Sequence, residues 1–138
     1  MGRVTVVMGI IGSDIHVVGN KIIDYALREA GYNIVNLGIF TSQEDFINAA
    51  RETDAQVILV SSLYGHAEMD CQGMKDKCVE AGLAGVKLYV GGNLVVGKQD
   101  LAEVERKFLD MGFDRVGTPQ SSPDDIVRWL VEDFGELG

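Results

Sequence analysis

The chain has 138 residues, 46% of them hydrophobic and 24% charged, the length and balance of about one globular domain with a single core. A net charge of −9, with no concentrated run of Lys or Arg, argues against nucleic acid or an anionic membrane as partner. No signal-peptide pattern and no apolar run of bilayer length occurs, so the expected location is the cytoplasm. Residues 3–10 (RVTVVMGI) read as a buried strand, and residues 17–31 as a helix ending at a glycine. Residues 33–37 form a second strand. Ser42, with Asp45 three positions on, is a capping-box pattern that opens a helix running to about Thr53. Residues 56–61 (QVILVS) are a third strand, rich in β-branched residues. Helical spacing follows over residues 68–82, a fourth strand over 86–90 (VKLYV), a helix over 100–111 and a short fifth strand over 115–117. Ser122 and Pro123 supply an N-cap and a proline at the first helical position, starting a last amphipathic helix to about Phe134.

Strand–helix units in series predict an α/β fold in which residues 1–138 form one domain. Its core is a five-stranded parallel sheet covered by helices on both faces, doubly wound in the flavodoxin-like or Rossmann-like manner. In the strand order 2-1-3-4-5, ligands bind beyond the carboxyl ends of the strands, at the switch point between the first and third strands. The segments that reach this point are 11–19, 61–67 and 91–97. All are rich in glycine or small polar residues, and 17 glycines against 2 prolines fit tight loops that approach a ligand closely. Cys71 and Cys78, on one continuous helix, would share a face about 10 Å apart. That is too far for a disulfide, and they read as small core residues. With only 2 Cys and 2 His in the chain, a dedicated zinc site is not expected.

The first of these loops carries the most specific chemistry. Asp14 and His16 stand two apart, so an extended backbone turns both side chains the same way. The carboxylate can then hold the proton on one imidazole nitrogen and leave the other to bind a metal. Gly19 allows the following backbone to approach a bulky ligand. In isolation the same residues also fit an N-cap aspartate beside a loop histidine. Gly92 to Gly97-Lys98 nearly spells a phosphate-binding loop, but Gln99 stands where Ser or Thr would hold magnesium, and the loop follows the fourth strand. His66, Glu68 and Asp70 read as a solvated edge or a subunit interface before they read as acid–base groups. A phosphoacceptor module would need an aspartate ending the third strand, where this chain has Ser61-Ser62.

Asp14-x-His16-x-x-Gly19, then Ser61-x-Leu63, then Gly91-Gly92, resembles the three-part signature of the cobalamin-binding domains of methionine synthase, methylmalonyl-CoA mutase and glutamate mutase. The likeness is greatest to the small (sigma) components of glutamate mutase and covers essentially the whole chain. It includes Ser61-Ser62-Leu63-Tyr64-Gly65 and the run from Tyr89 to Lys98 (YVGGNLVVGK). The resemblance implies that His16 is the lower cobalt ligand, in place of the dimethylbenzimidazole of the cofactor, with Asp14 orienting it. It places Ser13, Ile15, Val17 and Gly19 against the cobalamin in the first loop, and Ser61, Ser62 and Leu63 in the second. In the third, Gly91, Gly92, Asn93, Leu94, Val95, Val96 and Gly97 line the slot for the nucleotide tail.

The same resemblance implies adenosylcobalamin as cofactor and a radical mutase reaction that interconverts L-glutamate and threo-3-methylaspartate. This chain would be the cofactor-binding component, with no catalytic residue beyond the cobalt ligand. A larger catalytic (epsilon) subunit would bind the substrate, with two copies of each chain in the assembly. The alternative is a free-standing corrinoid carrier for methyl transfer. Such carriers usually have a helical cap ahead of the cobalamin domain, whereas this chain begins directly in the first strand.

Overall fold

The computed structural model describes residues 4–11, 18–39, 41–61, 71–91, 101–117 and 123–135, without the side chains of 18–20 and 101. Its strands are β1 (Thr5–Ile10), β2 (Asn33–Asn36), β3 (Val57–Ser61), β4 (Lys87–Gly91) and β5 (Arg115–Val116). They form one parallel sheet in the order β2-β1-β3-β4-β5, which is the expected order with its reversal between β1 and β3. The helices are α1 (Val18–Glu29), α2 (Gln43–Thr53), α3 (Met74–Glu80), α4 (Leu101–Asp110) and α5 (Pro123–Phe134). Among the described residues, no helix is long and apolar enough to cross a membrane.

Strand side chains alternate between the two faces, and both faces are covered, which is why the strands read as continuous apolar runs. Val7, Ile58, Val60, Leu88 and Val90 pack with Phe46 and Ala50 of α2, Met74 and Cys78 of α3, and Phe108 of α4. On the opposite face, Val6, Met8, Val57, Leu59 and Tyr89 pack with Leu27 of α1 and Ile126 and Leu130 of α5. Pro123 begins α5 as anticipated; its partner Ser122 lies outside the described residues. The Ser42 capping box is complete: Asp45 N donates to Ser42 Oγ at 3.1 Å, and Ser42 N donates to Asp45 Oδ2 at 3.1 Å.

The helix expected over residues 68–82 is not continuous. Cys71 is helical, Gln72 and Gly73 form a turn, and α3 starts at Met74. Gly73 has φ 76 and ψ 1, a left-handed conformation that interrupts the i→i−4 bonding and that glycine adopts without a Cβ clash. Cys71, Met74 and Cys78 nevertheless remain fully buried in one cluster, so the apolar spacing survives the break. Both cysteines are core thiols, and burial pushes the Cys78 thiol up.

Gly9 of β1 stands close against the β2–α2 loop and α2. A Cβ there would lie 2.9 Å from Thr41 Oγ1 and 3.3 Å from both Leu37 Cβ and Phe46 Cε1. Phe46 is fully buried and cannot swing aside. Gly9→Ala is therefore expected to cost about 1–3 kcal/mol by overpacking, read as a lower urea midpoint with an unchanged slope. An unaltered midpoint would show that the β2–α2 loop yields freely.

Candidate functional site

The carboxyl ends of three neighbouring strands meet at the switch point. Ile10 pairs with Ser61, and Ser61 pairs with Gly91. Ile11 N donates to Ser61 O at 3.0 Å, closing the β1–β3 ladder at its last rung. Parallel strands lie about 4.8 Å apart. The segments that begin at Gly12, Ser62 and Gly92 therefore leave the sheet within about 10 Å of one another. Residues separated by thirty to eighty positions in the chain thus start from one rim.

Alternation places Ile10, Ser61 and Gly91 on the face covered by α1 and α5, one layer beyond Met8, Leu59 and Tyr89. The inner layer is filled with large, fully buried side chains. The outer layer tapers from isoleucine through serine to no side chain at all. Among the described residues, a Cβ built on Gly91 meets nothing within 4 Å. Among the described residues the sheet therefore forms a step on the β3–β4 side, with bulk below and no described atom close above.

The other flank of the rim is held by polar contacts. Asn36 Nδ2 donates to Asp24 Oδ2 at 2.8 Å, joining β2 to α1, and Gly38 N donates to Asn36 Oδ1 at 3.0 Å. Ile10 N then donates to Gly38 O at 2.8 Å, and Thr41 N to Ile10 O at 2.9 Å. Arg28, paired with Asp24, also donates from its terminal nitrogen to Ile34 O at 3.1 Å, covering one carbonyl of the edge strand. This chain of bonds fixes where β1 ends and where α1 stands, and the Asp14–His16 loop must connect those two points.

Beneath the step, Tyr89 is fully buried. Its ring meets Trp129 edge-on, with centroids 5.5 Å apart. Its hydroxyl donates to Asp133 Oδ2, and Asp133 Oδ1 accepts from Arg115 at 2.8 Å. Arg115 also pairs with Glu132 at 2.8 Å. Burial and the Asp133 bond push the Tyr89 phenol up. Burial raises the Asp133 carboxyl, but the bonds from Arg115 and Tyr89 outweigh it and hold the group below the usual carboxylate range. A depressed folded-state pKa adds stability above the unfolded value of about 4 and loses it as pH falls through the folded value. Wild-type protein is thus expected to lose stability below about pH 4 more steeply than Asp133→Asn, whereas at pH 7 the variant is the weaker by about 1–3 kcal/mol. Thermal melts across that range check this; parallel acid limbs would mean that Asp133 is not linked to folding.

A separate depression of about 570 Å³, lined by Thr5, Arg28, Tyr32, Asn33 and Thr53 among others, opens at the amino ends of β1 and β2. It lies away from the switch point, and the one cation among its described lining residues, Arg28, is already committed to Asp24 and Ile34 O. It is a poorer ligand site than its volume implies.

Of the residues marked by their sequence, Ser61 and Gly91 are brought to adjacent register positions, and Gly19 lies in the first turn of α1. Ser13, Asp14, Ile15, His16, Val17, Ser62, Leu63, Gly92, Asn93, Leu94, Val95, Val96 and Gly97 lie outside the described residues, as do His66, Glu68, Asp70 and Lys98. The Asp24–Asn36 clamp and the Tyr89–Asp133–Arg115 chain were not marked. Their members are far apart in the sequence, and only a charged side chain opposite a buried strand could have hinted at them.

A parallel sheet in the order β2-β1-β3-β4-β5 with helices on both faces places the chain in the class of doubly wound α/β domains. The family model described as the B12 binding domain matches residues 4–118. The glutamate mutase sigma subunit of Carboxydothermus hydrogenoformans is 59% identical over 135 residues, covering 98% of each chain. That of Clostridium tetanomorphum is 56% identical, also over 98% of each. A cobalamin-binding protein from Desulfitobacterium hafniense shares the fold at a TM-score of 0.77 and 19% identity. The match covers 94% of this chain and 58% of that longer one. This chain belongs to the B12-binding domain family and, within it, to the glutamate mutase sigma subunits.

Proposed function

We propose that the chain is the cofactor-binding component of an adenosylcobalamin-dependent glutamate mutase that works in the cytoplasm beside a larger catalytic subunit, with two copies of each. The observation that carries the reading is the Ile10–Ser61–Gly91 row. It brings Ile11, Ser61 and Gly91, from which the three signature segments continue, to one rim, and among the described residues nothing meets a Cβ on Gly91. What supports the fit is that a flat, bulky ligand with a long tail needs room at the rim, and among the described residues none approaches Gly91 there. His16 would bind the cobalt and Asp14 would hold the distal ring proton, keeping the ligating nitrogen free. Ser13, Ile15, Val17 and Gly19 would flank that ligand. Ser61, Ser62, Leu63 and Gly91 to Gly97 would line the tail, and residues 1–138 would act as a single cobalamin-binding unit. When bound, adenosylcobalamin supplies a homolytically labile cobalt–carbon bond, the source of the radical that rearranges L-glutamate to threo-3-methylaspartate. The chain's own part is to bind, orient and ligate.

Purified protein mixed with adenosylcobalamin is expected to show the absorption spectrum of base-off, histidine-ligated cobalt. It should form no methylaspartate from glutamate until a sigma-free catalytic subunit is added. Steady turnover by this chain alone would overturn the two-component reading, and an unchanged base-on spectrum would overturn the cofactor site.

A further inference from the structure

We infer that Tyr89 is the floor of the cofactor slot, and that its anchor through Asp133 to Arg115 sets how deeply a nucleotide tail can enter. The inference rests on the cobalamin reading above and deepens it. Tyr89 and Gly91 are two apart on one strand, so both face α1 and α5, and they stand about 6.6 Å apart along β4. Among the described residues nothing meets a Cβ on Gly91, and one layer down stands a fully buried aromatic ring. On β3 the same pair of layers reads Leu59 below Ser61, so the floor is continuous across two strands.

A floor limits depth only if it does not yield, and Tyr89 is held from two sides. Trp129 meets the ring edge-on at 5.5 Å. The hydroxyl bonds to Asp133, and Trp129 O lies 3.3 Å away. Asp133 is itself held by Arg115 of the neighbouring strand at 2.8 Å, opposite Tyr89 in the β4–β5 register. The carboxylate therefore ties α5 to both β4 and β5. This fixes the distance between helix and sheet below the rim. Tyr89 acts through shape and position, as a positioning residue.

The test compares two ligands on one protein. Cobinamide carries the corrin ring but no nucleotide tail, whereas cobalamin carries both. Wild type is expected to bind cobalamin more tightly than cobinamide. Tyr89→Leu removes the floor and Asp133→Asn loosens its anchor. Each is expected to weaken cobalamin binding about tenfold, the size of effect that a small change in pocket volume produces, with cobinamide binding unchanged. Tyr89→Phe, which keeps the ring, is expected to fall between these and wild type. A purely structural role for Tyr89 would lower the melting temperature and leave the ratio of the two affinities where it was, which would overturn the inference. Equal affinity of wild-type protein for the two ligands would instead overturn the tail-slot reading on which it rests.

Discussion

Replacing His16 with alanine is expected to lower turnover of the reconstituted mutase by more than about 100-fold, beyond the 10–100-fold typical of changes to groups that merely orient a ligand. The fold should survive, because the last rung of the β1–β3 ladder closes at Ile11 and Ser61, ahead of the histidine. Asp14→Asn retains a hydrogen-bonding group without the charge that raises ligand basicity. It should be the milder change, by about 10–100-fold. Electron paramagnetic resonance of protein loaded with cob(II)alamin decides the assignment. Nitrogen-15 labelling of histidine should alter the hyperfine pattern in wild type and have no effect in His16→Ala. Identical patterns in the two proteins would remove His16 as the ligand.

Gly91→Val is expected to abolish cobalamin binding at micromolar concentrations, a loss of at least about 100-fold, while leaving the unliganded protein as stable as wild type. The two halves of that result have separate causes. Gly91 ends a strand, and a Cβ there meets nothing within 4 Å among the described residues. A β-branched side chain suits an extended backbone, so the fold has no reason to object. The same side chain projects into the step between Ser61 and the Tyr89 layer, the space a tail would need. Gly9→Ala makes the useful contrast, being a glycine whose missing Cβ serves packing. Titration calorimetry and thermal melts on the same samples separate the two glycines. Normal cobalamin affinity in a folded Gly91→Val protein would mean that the tail lies elsewhere.

The two glycines also show where reading the chain by itself stops. Strand order, the two-faced burial of the strands, the Ser42–Asp45 capping box and the proline that starts α5 were all legible. Strand order follows from the crossover rules of a doubly wound fold, and the others rest on local preference or on the period of apolar residues, both properties of short stretches of chain. The family was legible from Asp14, His16, Gly19, Ser61, Leu63, Gly91 and Gly92. In the sequence these residue types fall at or just after the carboxyl ends of the first, third and fourth strands, where a doubly wound sheet binds ligands.

The break at Gly73 was not legible, because Cys71, Met74 and Cys78 keep helical apolar spacing across it and a single glycine inside such a pattern is often tolerated. Nor does periodicity distinguish Gly9, jammed against Thr41 and Phe46, from Gly91, which meets nothing among the described residues. The difference lies in what the opposing elements present. In the sequence Tyr89 stood out only as the start of the run to Lys98. Its partners Asp133 and Arg115 stand 44 and 26 positions away in the chain, and only parallel pairing of β4 with β5 and docking of α5 bring them together. Local sequence determined which elements form and which chemistry their loops carry. Register and packing, which depend on contacts between distant segments, decided which of those residues share a rim, how deep the space beneath it runs and what holds its floor.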